Sequence, residues 1–241
     1  MIRLPAIRGI IDRRILANYC IDVECMAAVL PPPFRPWCVA GKAIGGICLI
    51  RLKQLRPRWL PVPWGLRSEN AAHRIAVQWD SDQGIRRGVY IPRRDTDSRL
   101  NSIVGGRLFP GIHHHARFDV RETEDQFSVT MTRDDGHANV HVAGRVASEF
   151  PAASVFDDVE AASEFFAAGS VGYSDTASPG RFDGLELRCA NWRVEPLVVS
   201  EIQSGFFDDH SRFPAGSVTF DNALLMRQID HQWHGHPDLC C

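Results

Sequence analysis

Residues 105–120, Gly105-Gly106-Arg107-Leu108-Phe109-Pro110-Gly111-Ile112-His113-His114-His115-Ala116-Arg117-Phe118-Asp119-Val120, pass from a flexible Gly/Pro approach into three histidines and then into strict alternation. A period of two puts His114, Ala116, Phe118 and Val120 on one face of a strand, and His113, His115, Arg117, Asp119 and Arg121 on the other. The first face is apolar apart from His114. The stretch therefore reads as the lip and first inward residues of a ligand pocket. A lone imidazole among apolar neighbours is either a core group with a partner or a functional group, since a buried polar atom needs a hydrogen bond.

Working outward, the same alternation recurs. Residues 127–132 point Phe127, Val129 and Met131 inward, and residues 140–146 do likewise beyond the Asp134-Asp135-Gly136 turn, which predicts an antiparallel meander with the His114 strand. Upstream, residues 72–79 and 88–91 are hairpin partners around Asp80-Ser81-Asp82-Gln83-Gly84. The run Arg93-Arg94-Asp95-Thr96-Asp97-Ser98-Arg99 carries both charge signs and reads as a solvated, ion-paired loop. Residues 14–21 read as a strand, and Asp22 caps a helix of about two turns carrying Val23, Met26, Val29 and Leu30, which Pro31-Pro32-Pro33 stops. Residues 39–52 are a β-rich run bent by Gly41, Gly45 and Gly46. Residues 56–65, with Pro57, Pro61 and Pro63, read as a loop or lid. Asp157 or Asp158 opens a second helix through Val159, Ala162, Phe165 and Phe166 to Gly169. The remainder is strand-like. Many short strands and two short helices predict a mainly β, α+β fold, closed or nearly closed.

With 241 residues and 44% hydrophobic content, the chain suits one substantial core and is read as a single domain over residues 1–241. Its 27 basic and 29 acidic residues nearly cancel, which argues against nucleic acid as a partner. Seven cysteines without a CxxC pair or a signal peptide point to a reducing, cytoplasmic setting. The longest apolar runs fall far short of the roughly 20 residues of a membrane helix, so no membrane partner is expected. A homo-oligomer is left open.

Common catalytic signatures are missing: no GxSxG elbow, no GxxxxGK[ST] loop and no HExxH helix. His113 and His115 share a face, and His231, His234 and His236 form a second group. Arg117 and Arg121 beside the first group would repel a cation, and the second reads as a polar tail around Trp233. No metal and no cofactor are expected.

Other residues carry a resemblance. Tyr19-Cys20-Ile21-Asp22-Val23-Glu24, followed by Met26, Val29, Leu30, Pro31 and Pro33, resembles the Tyr-x-x-Asp-helix-x-Pro-x-Pro pattern of acetoacetate decarboxylases, and Gly106-Arg107 resembles the Gly-Arg-Glu segment leading to that family's Lys-Lys pair. The whole chain resembles an uncharacterised bacterial branch of conserved proteins within the acetoacetate decarboxylase-like superfamily. The likeness is clear over residues 19–34 and 105–116, weaker over 66–77 and thin after about residue 120. It implies an antiparallel, cone-like β-barrel around a mostly apolar pocket. Counted without gaps, the family's Schiff-base lysine falls on His114 and the next lysine on His115. An imidazole cannot form the iminium that such decarboxylation uses, and neither Lys42 nor Lys53 lies at the matching place. The family's pocket glutamate falls on Asn70, with Glu69 adjacent, and its arginine near Asp12, Arg13 or Arg14, with Arg13 nearest.

The expectation is a protein with a small-molecule pocket for a carbonyl or carboxylate compound. One form of it is an enzyme of lyase or hydrolase type, with His114 as general acid/base, Glu69 as its carboxylate partner, and Asn70, Arg13, Arg107, His113 and His115 as ligand-binding groups. The other is a binding protein that kept the barrel without the lysine chemistry.

Overall fold

Strand β1 (Ile7–Ile21) shows how the chain is organised, because it is buried almost continuously from Ile11 to Ile21 instead of on alternate residues. Ile15, Ala17, Tyr19 and Ile21 enter one core cluster, and Leu16 and Cys20 enter another. Successive side chains leave a strand on opposite faces, so both faces of β1 are covered by protein. The same holds for β4 (Lys42–Pro57), where Leu49 joins the first cluster and Cys48, Ile50 and Leu52 the second. It holds again for β5 (Leu66–Ser81), where Ile75 and Val77 oppose Ala76.

The computed structural model describes residues 6–62, 65–99, 102, 111–134 and 139–240. After β1 and the short helix α1 (Val23–Val29) come β2 (Arg35–Pro36), β3 (Cys38–Val39), β4, β5, β6 (Gly84–Thr96), β7 (His113–Glu122), β8 (Gln126–Arg133) and β9 (Asn139–Val146). Helix α2 (Val159–Ala168), β10 (Val171–Asp175), β11 (Arg181–Cys189), β12 (Glu195–Ser204) and β13 (Val218–Cys240) complete the order. Among the described residues 63% are strand and 9% helix, so the fold is mainly β.

Strand pairing closes the sheet twice. One ring runs β13-β1-β4-β5-β6-β7-β8-β9-β12 and back to β13. A second runs β13-β1-β4-β5-β6-β10-β11 and back to β13. The two rings share β13, β1, β4, β5 and β6 as a common wall. The first core cluster fills the nine-stranded ring with Val129, Met131, Val140 and Val142. The second lies on the opposite face of the wall under Ala162 and Phe166 of α2.

The predicted meander is present: β7, β8 and β9 pair antiparallel, with Phe127, Val129 and Met131 buried. Both predicted helices form. Asp158 caps α2, accepting from Ala161 N at 2.7 Å, whereas Asp22 makes no side-chain cap and pairs with Lys42 instead.

Several expectations need correction. The sheet is mixed, because β6 runs parallel to both β7 and β10. The segment read as a solvated loop over residues 93–99 is strand β6 through Thr96, with Asp95 and Thr96 fully buried. Arg93 Nε reaches Asp95 Oδ2 at 2.9 Å across one strand face, so opposite charges enter the interior as a pair. The proline-rich lid begins later than expected, since β4 extends through Pro57; Pro63 and Trp64 lie outside the described residues. The C-terminal histidines are not a tail: His231, His234 and His236 lie in β13 opposite β11, and His231 is buried.

Candidate functional site

The shared wall separates neighbouring residues into two chambers. On the first face, Arg13 Nη2 donates to Glu69 Oε2 at 2.6 Å and Nη1 to Glu122 Oε2 at 3.2 Å. Arg51 Nε donates to Glu69 Oε1 at 2.5 Å, and its Nη1 reaches Asp12 Oδ2 at 3.3 Å and also pairs with Glu122. Lys53 and Gln228 complete the set on Asp12 at 2.8 and 2.6 Å. Burial alone would raise the Asp12 carboxyl, yet the hydrogen bonds from Lys53, Gln228 and Arg51 outweigh it and hold the group below the usual carboxylate range. Three cations meet three carboxylates here, so the network neutralises itself. Glu69, expected as the carboxylate partner of His114, and Arg13, expected to bind a ligand, instead pair with each other inside this network.

On the opposite face lies a cavity of about 260 Å³ lined by Arg14, Cys48, Asn70, Arg74, Arg94 and His113. Its remaining wall is mostly apolar, with Ile50, Leu52, Phe166, Leu185, Leu187, Trp192 and Trp233. The seven-stranded ring and α2 supply almost all of it. Alternation explains the polar set, since Asn70, Ala72 and Arg74 follow each other on one face of β5 while Glu69 and His73 face the other way.

The arginines are the unusual feature. Arg14 Nε donates to Cys48 Sγ at 3.2 Å, its Nη1 lies 3.8 Å from Met226 Sδ, and its guanidinium sits 5.5 Å from the Trp192 ring centre. Arg74 is 6% exposed; it donates to the Asn18 side-chain oxygen, lies over Phe166 at 4.5 Å and leaves Nε without an acceptor. Gly46 makes room for it, because a Cβ there would stand 3.2 Å from Arg74 Nη2 and 2.6 Å from the Ala17 carbonyl. Arg94 Nε donates to Ser174 Oγ at 3.0 Å. Desolvation pushes Arg74 down to about 9 and Arg94 down to about 10, with Cys48, and for Arg94 also Asp183, acting in the opposite direction. Among the described residues, no carboxylate forms an ion pair with Arg14, Arg74 or Arg94.

His113 enters the same cavity at the start of β7. Gly111 turns the chain there with φ 81°, and a Cβ would meet Ser174 at 2.9 Å and Arg94 Nε at 3.0 Å, so only glycine fits. The His113 Nδ1–H donates to the Gly111 carbonyl at 3.0 Å, which leaves Nε2 as the acceptor. Burial, reinforced by Arg94 and opposed by the Gly111 bond, pushes His113 down to about 4, so the ring is neutral at pH 7.

The residues singled out from sequence therefore divide. His113 and Asn70 line the cavity. His114 pairs in register with Asp95 and shares the strand face of Ala116, Phe118 and Val120, all in the first cluster, so it stands on the far side of the wall with Glu69 and Arg13. His115 bonds Asp134 at 2.7 Å away from both. Arg107 lies outside the described residues. Sequence reading named Arg14 as an alternative but preferred Arg13, and it missed Cys48, Arg74 and Arg94. Arg74 was marked by its place among apolar residues of a strand; Arg94 was hidden by its charged neighbours. Among the described residues, no group of three or more His, Cys, Asp or Glu is placed to hold a metal ion.

Solved structures share this architecture. An acetoacetate decarboxylase from Legionella pneumophila superposes with a TM-score of 0.63 at 12% identity, over 98% of this chain and 88% of its own. The enduracididine biosynthesis enzyme MppR, complexed with pyruvate, gives 0.60 at 11% identity, over 100% and 91%. An acetoacetate decarboxylase-like enzyme from Sphingomonas wittichii gives 0.59 at 10% identity, over 100% and 94%. At these identities the likeness establishes the acetoacetate decarboxylase-like fold. No curated protein matches the sequence. A family profile does match residues 11–217, most of the wall and both rings, and the chain accordingly belongs to DUF2071, a family described as uncharacterised conserved protein.

Proposed function

We propose that the cavity binds a small carboxylic acid with an apolar or carbonyl-bearing body, and that His113 exchanges a proton with it. The observation that carries this reading is the set of three guanidiniums, Arg14, Arg74 and Arg94, that line the cavity without a carboxylate partner among the described residues. Burying a cation without a counter-charge is costly, and a ligand carboxylate supplies the missing charge in the bidentate geometry arginine favours. The opposite chamber makes the contrast, since its arginines are already neutralised. MppR in complex with pyruvate, a 2-oxo acid, supports the ligand class on a shared fold.

A neutral imidazole with Nδ1–H committed to Gly111 presents Nε2 as its acceptor, and a bound carboxylate that offsets Arg94 raises its basicity toward what removing a proton from carbon next to a ligand carbonyl needs. That is acid/base chemistry of lyase or hydrolase type, without a Schiff base. One observation favours a second reading, binding alone: Asp95, the aspartate along the cavity wall, is held by Arg93 and offers no free second base.

Two results test the proposal. Titration of butyrate or 2-oxobutyrate by calorimetry should show binding that Arg94→Met weakens by about 100-fold, the loss expected when one side of a buried charge-assisted pair is removed. Unchanged affinity would refute the arginine reading. Treatment with acetoacetate and borohydride should leave the intact mass unchanged, because Lys42 pairs with Asp22, Lys53 with Asp12, and neither lines the cavity. A trapped adduct on either lysine would overturn it.

A further inference from the structure

We propose that Cys48 is a covalent-modification site, reached through the cavity and addressed by small electrophilic carboxylates; this rests on the carboxylate reading above. Cys48 is 6% exposed and lines the cavity, so the cavity is its route to a ligand. Arg14 Nε donates to its Sγ at 3.2 Å, and Arg74 and Arg94 are both close enough to interact electrostatically with it. A thiol hydrogen-bonded to one guanidinium and facing two more is in the electropositive, ligand-reachable surroundings in which cysteines react. Independently, Arg74 is 94% buried and its Nε, which has no acceptor, belongs to a side chain on the same cavity wall. An anion drawn to that group is drawn to the thiol.

The other described cysteines lack this combination. Cys20 lies 3.4 Å from Asp221, and burial together with that carboxylate pushes its thiol up to about 12. Burial likewise raises the Cys189 thiol. Cys25 is half-buried, Cys38 and Cys240 are exposed, and none of the three lines the cavity.

The chemistry balances without a further reactant. With a 2-enoic acid, sulfur adds to the β-carbon, the π pair moves to the α-carbon, and the α-carbon takes the proton that the thiol gave up; a thioether forms and nothing leaves. With a haloacetate, sulfur displaces halide and the thiol proton passes to water.

Iodoacetate and its neutral analogue iodoacetamide provide the test, followed by peptide mass mapping of each cysteine in the full chain. Cys48 should be alkylated about 10-fold faster by iodoacetate than by iodoacetamide, the scale of local enrichment a cationic cleft produces, while exposed Cys38 shows no preference for the anion. Butyrate should protect Cys48 and not Cys38, a measurement on the unaltered chain. Arg74→Met should remove the preference, and Cys48→Ser should remove the adduct at that position. If butyrate binds by calorimetry but iodoacetate leaves Cys48 unlabelled, the inference is overturned while the carboxylate reading stands. If iodoacetamide labels Cys48 faster than iodoacetate and butyrate does not bind, both fall together.

Discussion

Replacing Glu69 with alanine should cost about 3–5 kcal/mol of stability, because it strips the shared acceptor from two guanidiniums and leaves them buried without compensation. Arg13 and Arg51 both rely on Glu69, at 2.6 and 2.5 Å, and the groups are respectively 3%, 9% and 8% exposed in their side chains. Glu122 cannot take over, since it already receives both arginines and is 27% exposed. The midpoint of urea unfolding measures the loss, with the slope expected to stay constant. Replacing Arg13 with methionine and Glu69 with leucine together should recover part of it, since removing both partners of a buried pair is far less damaging than removing one. A single Glu69→Ala variant as stable as the parent would mean that water reaches the network.

Acidification should unfold the protein before pH 4, with the loss of stability beginning near pH 6.5, above the range in which carboxylates titrate. Burial, with Arg93 and Arg212, pushes His73 down to about 3; burial, with Arg14, pushes His231 down to about 4; His113 also lies at about 4. Each is depressed below the roughly 6.5 of an unfolded histidine, so each contributes fully above pH 6.5 and loses its contribution as the pH falls toward 4. Near pH 5 the unfolded chain binds three more protons at these sites, which lowers stability by about 4 kcal/mol per pH unit. Against a typical total of about 5–15 kcal/mol, that is enough to unfold the chain before pH 4. Asp97, raised by burial, acts in the opposite direction at a single site, and Asp12 adds its own loss only as the pH falls below the ordinary carboxylate value toward its depressed one. Urea midpoints between pH 7 and 4.5 test this, and a flat profile down to pH 5 would contradict it.

Much of the fold could be read locally. The meander of β7, β8 and β9, the β5–β6 hairpin and both helices follow from alternation, turn chemistry and stop signals, which act over a few residues. What local patterns do not carry is the second closure. In β1 and β4 the apolar run is continuous, which signals burial on both faces without saying what covers each. The site suffered from the same ambiguity: Arg13 and Arg14, Glu69 and Asn70, His113 and His114 are neighbours in sequence that belong to opposite chambers. Alternation groups His114 with Ala116, Phe118 and Val120, and those three pack in the other ring. A bulge between Ile11 and Arg13 and another between His73 and Ile75 shift the phase further, and neither is visible in composition.

Strand β13 pairs with β1 from Val218 to Trp233, with β12 at Leu224 and Leu225 and with β11 from His231 to Cys240, so it is the closing stave of both rings. Its partners in β1 lie far back in the chain: Arg14 and Met226 are 212 residues apart. A ribosome delivering this chain releases β1 with one edge paired to β4 and the other unsatisfied, and holds it so until β13 emerges. Neither ring can close before then. Such long-range closure is slow and leaves apolar edges open to other nascent chains in the meantime. During synthesis, chaperones that cover sheet edges should therefore govern the yield of this protein more than the stability of its finished form does.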